Sequence, residues 1–77
     1  METKSMTYEE LKAARQASFQ RHVARLGNKV VAALMKCKAS YVSQLCSGTR
    51  PITERTARNI EAALGIKPKS LDRKPTV

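Results

Sequence analysis

The chain has 77 residues, and its 15 Lys+Arg against 6 Asp+Glu give a formal charge of +9. That length holds one small domain with a modest core, and it excludes a doubly wound cofactor domain or a barrel enclosing a site. No run approaches the roughly 18–20 consecutive apolar residues of a membrane span.

Residues 1–6 read as a flexible N-terminus. Met1-Glu2-Thr3-Lys4-Ser5 carries an acid and no apolar run, so no signal peptide is expected and the cytoplasm is the default location. A first helix is expected from Thr7. Thr7 caps it, Glu10 completes a capping box, and Met6 and Leu11 hold the two positions of a hydrophobic staple. Phe19, His22, Val23 and Leu26 fall on one face of that helix, and Gly27 ends it. Asn28 is expected to cap a second, apolar helix over Lys29 to Lys36. A third helix spans about Ala39 to Ser47. Tyr41, Val42, Leu45 and Cys46 form its apolar face, while Ser40, Ser43, Gln44 and Ser47 remain outside. Gly48 is placed to end it in a left-handed conformation, and Pro51 keeps Arg50 extended. Thr53 caps a fourth helix whose buried stripe is Ala57, Ile60, Ala63 and Leu64, with Gly65 at its end. Pro68 starts a last turn in which Leu71 packs back, and residues 73–77 read as a solvated basic tail. Apolar residues recur at three and four, not at two, so the fold class is all-α, with four to five helices in one domain over residues 7–72.

The reactive side chains point away from catalysis. His22 is the sole histidine, with no carboxylate at helical spacing to complete a catalytic set. There is no glycine-rich phosphate loop. Cys37 and Cys46 lack the second pair that a four-ligand zinc site needs, and they read as reduced, packed thiols. No enzyme activity, cofactor, metal or small-molecule ligand is expected. The charge points to a polyanion instead. Glu2, Glu9 and Glu10 take half of the acids into the first ten residues, leaving the remainder more basic than the whole. Nucleic acid is the first choice and an anionic membrane surface the second. The stripe of the first helix is too interrupted by Ala and Ser for a membrane. RNA binding lacks its aromatic platforms, since Tyr8, Phe19 and Tyr41 are all the aromatics present.

The segment from Asn28 to Ser47 is a helix, a turn of three or four residues, and a second helix with a small polar outer face, the pattern of a helix-turn-helix. Here the sequence resembles the lambda repressor-like family of helix-turn-helix domains, especially phage and prophage repressors and Cro proteins. Asn28 stands at the first position of the family's 20-residue motif. Val31 and Ala32 match the apolar and small positions of its first helix, Met35 and Cys37 the positions around the turn, and Val42 and Leu45 the core of its recognition helix. Ser40-Tyr41-Val42-Ser43-Gln44-Leu45 followed by Ser47-Gly48-Thr49-Arg50-Pro51-Ile52 is similar to the family's run "SYxSQLxxGxRxI". Thr56 to Ile66 resembles the helix that follows, and Leu71-Asp72 the closure of the domain. The resemblance covers about residues 14 to 72. One position departs from it: Lys36 stands where relatives carry a left-handed Gly.

The resemblance implies a sequence-specific double-stranded DNA-binding regulator, a phage or prophage repressor or Cro-like protein acting in a bacterial cell or phage-infected host, at the nucleoid. In that architecture the third helix enters the major groove while the preceding helix crosses the backbone. Lys38, Ala39, Ser40, Ser43 and Gln44 would then face bases, with Gln44 paired to adenine, Lys38 to guanine and Ala39 against a thymine methyl. Asn28 and Lys29 would hold a phosphate at a helix N-terminus. Thr49 and Arg50 would hold the other flank, with Tyr41, Arg21 and Arg25 as further phosphate contacts. Arg55, Arg58, Lys67, Lys69, Arg73 and Lys74 are weaker candidates. The operator is expected to be an inverted repeat bound by a homodimer, for which Leu64, Ile66, Leu71 and the tail are the candidate interface. The alternative is an antitoxin-type DNA-binding protein that also grips a protein partner through Met1 to Leu11.

Overall fold

A computed structural model describes residues 7–72; the expected flexible N-terminus, with the Met6 half of the staple, and the basic tail lie outside the described residues. Four α-helices follow one another: α1 (Tyr8–Leu26), α2 (Asn28–Met35), α3 (Ala39–Ser47) and α4 (Glu54–Leu64), closed by a 3-10 turn over Ser70–Asp72. Among the described residues there is no strand.

The ends of α1 and α4 follow from local chemistry. Thr7 Oγ1 accepts from the Glu10 N–H at 3.1 Å and Glu10 Oε1 accepts from the Thr7 N–H at 2.9 Å, a complete capping box. Thr53 Oγ1 accepts from the Thr56 N–H at 3.3 Å, with Glu54 in the first turn. Gly27 separates α1 from α2 by a single residue at φ 95° and ψ 148°, backbone that side-chain-bearing residues rarely adopt.

Two expectations for α2 are corrected. Asn28 is the first helical residue, not the cap; Gly27 is the cap and offers no side-chain hydrogen bond. The helix ends at Met35, because Lys36 turns left-handed at φ 57° and ψ 45°. The apolar character of α2 is also only half used. Val31 and Ala32 are buried, whereas Val30 and Leu34 stay 48% and 45% exposed.

The core runs through all the helices: Phe19 and Val23 of α1, Val31 and Ala32 of α2, Val42 and Leu45 of α3, then Ile52, Ala57 and Ile60. Leu71 completes it and is fully buried. It packs back on the core, the first of the two roles expected for it, and is not free for a dimer surface, while Leu64 and Ile66 are half-buried against the same cluster. α1 packs on α2, on α3 and on the 3-10 turn. α2 packs on α3 and α4, and its small Ala32, 5% exposed, lies in the shared core.

A largely buried ion network joins α1, α4 and the 3-10 turn. Arg15 Nε donates to Asp72 Oδ1 at 2.8 Å, and Arg15 Nη1 donates to the Ile52 carbonyl at 3.3 Å. Arg58 Nη2 donates to the same Asp72 oxygen at 2.8 Å and to Glu61 Oε2 at 3.1 Å. Glu61 is buried, and its Oε2 also accepts the Leu71 N–H at 3.0 Å. Two cations meet two anions here, so each desolvated charge has a partner. Arg58 is consumed by this network, which removes it from the phosphate candidates. Burial works against its charge, but Asp72 and Glu61 outweigh that and hold its pKa above the ordinary arginine value.

Candidate nucleic-acid interface

The segment from Gly27 to Thr53 contains Lys29, Lys36, Lys38 and Arg50 and no acid at all. It includes the whole of α2 and α3. The acids of the described fold sit elsewhere: Glu9 and Glu10 at the start of α1, Glu54 at the start of α4, Glu61 and Asp72 inside the balanced network. The segment's four cations therefore have no acid within it to offset them.

The helix N-termini divide the same way. Those of α1 and α4 are closed by threonine caps and carry acids. Those of α2 and α3 have no side-chain cap and no acid in the first turn. The first backbone N–H groups of an α-helix lack intrahelical partners, and together with the helix dipole they suit an anion. Of the four described helices, α2 and α3 leave those donors without a side-chain cap.

α3 is held by its far end. Gln16 Nε2 and Gln20 Nε2 of α1 both donate to the Cys46 carbonyl, at 2.9 and 2.6 Å. A Cβ on Gly48 would lie 3.1 Å from Gln16 Nε2, so glycine at φ 85° serves both the left-handed turn and this contact. Sequence reading missed these glutamines. Their only signal was two glutamines at i and i+4, on one side of α1.

At the opposite end, Lys38 is the cap residue of α3, and Ala39 and Ser40 open it. Lys38 and Ser40 are exposed and Ala39 is half-buried. Ser43, one turn on, is exposed, and Gln44 is half-buried. The fold brings several predicted site residues into direct contact. Asn28 Nδ2 donates to Ser43 Oγ at 2.9 Å, tying the start of α2 to the outer face of α3. Arg50 Nε donates to Gln44 Oε1 at 2.6 Å, and its guanidinium lies 5.6 Å from the centre of the Tyr41 ring. The Ser47 and Thr49 hydroxyls share a hydrogen bond of 2.9 Å. Lys29 is exposed beside Asn28.

Arg21 and Arg25 occupy exposed positions of α1. Arg25 Nη2 donates to His22 Nδ1 at 2.9 Å. Burial, then the Arg25 and Arg21 charges, lower the His22 pKa from 6.5, so the ring is neutral and can accept that bond. The half-buried thiols of Cys37 and Cys46 are pushed up by burial and are weak nucleophiles. Among the described residues no three His, Cys, Asp or Glu side chains group to hold a metal, and no helix is long and apolar enough to cross a membrane.

No family model, curated protein or solved structure matches the chain.

Proposed function

We propose that the protein is a sequence-specific double-stranded DNA-binding regulator of the lambda repressor-like type, in which α2, the three-residue connection and α3 act as a helix-turn-helix. The observation that carries this reading is the pair of uncapped, acid-free N-termini on α2 and α3, together with the Asn28–Ser43 hydrogen bond that ties the start of α2 to the outer face of α3. One end offers backbone donors and Lys29 to a phosphate. The other offers Lys38, Ala39, Ser40, Ser43 and Gln44 to base edges in a groove wide enough for one helix. Gln16 and Gln20 hold α3 at its C-terminus, the end away from Lys38, Ala39 and Ser40. Repression by operator occupancy, in the manner of a phage repressor or Cro protein, rests on the sequence resemblance, since a fold does not fix a function.

A second reading, in which a DNA-binding protein also holds a protein partner in the manner of an antitoxin, is favoured by the exposed apolar pair Val30 and Leu34 on α2.

The deciding experiment is selection of random duplex DNA by the purified protein, followed by sequencing. An enriched inverted repeat, with half-sites about one helical turn apart, is expected for a two-fold dimer. Binding without enrichment would contradict sequence-specific regulation.

A further inference from the structure

Tyr41, Gln44 and Arg50 form one unit at the outer side of α3. Arg50 donates twice to Gln44: its Nε–H to the side-chain Oε1 at 2.6 Å and its backbone N–H to the carbonyl at 3.3 Å. The Tyr41 ring lies under the guanidinium and holds it in place. A guanidinium is a donor at every nitrogen and cannot accept. The atom of the Gln44 amide that meets it must therefore be the oxygen. Arg50 thus orients the amide chemically, and the end left for a ligand is Nε2, which carries two hydrogens and accepts nothing.

This changes what Gln44 selects. A glutamine free at both ends suits adenine, whose major-groove edge pairs an N6 donor with an N7 acceptor. Here adenine N6 would have to share Oε1 with a charged N–H already at 2.6 Å. Guanine presents N7 and O6, both acceptors, and asks only for donors. We propose, resting on the DNA-binding reading above, that Arg50 is a positioning residue that fixes Gln44 as a hydrogen-bond donor and directs it to guanine instead of adenine.

The test repeats the duplex selection with the wild type, Gln44→Ala and Arg50→Lys. The position whose preference disappears in Gln44→Ala is the base pair that Gln44 reads. At that pair the wild type is expected to select guanine. Arg50→Lys keeps the positive charge but lacks the planar Nε–H. It is expected to lower the guanine-over-adenine preference there on the order of tenfold, with other positions and thermal unfolding unchanged. Adenine selected by the wild type at that pair would overturn the inference while leaving DNA binding intact. So would an unchanged preference in Arg50→Lys, or the absence of any Gln44-dependent position. Failure of the wild type to bind duplex DNA at all would overturn the functional reading, and this inference with it.

Discussion

Lys36 sits at φ 57° with a side chain, in the connection between α2 and α3. For an L-residue that conformation costs on the order of 1–2 kcal/mol. Glycine would remove the clash but would lose more freedom on folding, about 0.5–1 kcal/mol. The balance favours glycine by a fraction of the first figure. Lys36→Gly is therefore expected to stabilise the fold by about 1 kcal/mol or slightly less, which for a domain of this size raises the melting temperature by roughly 4 °C. Thermal unfolding followed by circular dichroism would show it, and a clear drop would mean that the turn is not left-handed at Lys36. Lys69, at φ 69°, carries the same strain beside the 3-10 turn.

At the scale of an element, the 3-10 turn Ser70–Asp72 is too short to hold itself. Leu71 anchors it in the core, and Asp72 ties it to α1 and α4 through Arg15 and Arg58. Burial pushes the Asp72 carboxyl up, but hydrogen bonds and charge from Arg15 and Arg58 outweigh that and hold its pKa below 3.8. As the pH falls, the unfolded carboxyl takes its proton first. The stability contributed by Asp72 is therefore complete above the ordinary carboxylate value and is lost as the pH falls through the lower folded one. Asp72→Asn would leave the buried Arg15 without its anion, at an expected cost of about 3 kcal/mol near neutral pH, a large share of the roughly 5–15 kcal/mol of a typical domain. It should also flatten the acid limb of stability against pH. Urea unfolding of both proteins across the acid range measures the two effects. An unchanged midpoint would show that the latch contributes nothing.

For the whole molecule, the balanced network of Arg15, Arg58, Glu61 and Asp72 leaves the net charge to other residues, including those of the acid-free stretch from Gly27 to Thr53. Binding to duplex DNA through such a surface releases counterions. If two copies neutralise about 6–10 phosphates, affinity is expected to fall by about 10³–10⁵ between 50 and 200 mM salt. Titration of a labelled duplex at several salt concentrations gives the slope. A flat response would remove the electrostatic basis of the proposed interface.

Helix boundaries and much of the core were legible in the sequence because they depend on neighbours within four or five residues. The Thr7 capping box, the bounds of α3, the left-handed Gly48, and buried Val31, Val42, Leu45, Ala57 and Ile60 all follow from capping chemistry and helical period. Asn28 was misread as a cap because Gly27 alone supplies the break that begins α2. The contacts of the candidate site span greater sequence separations: Asn28 with Ser43, Gln44 with Arg50, Gln16 and Gln20 with Cys46. The same holds for Arg58, which reads as a surface cation until Asp72 and Glu61 are folded around it. By itself, then, the sequence determined an all-helical, strongly basic chain and the polar face of α3, since these depend on composition and period. Only the tertiary structure decided which of those polar groups are already engaged with one another, because a hydrogen bond between distant residues exists only once packing has brought their helices together.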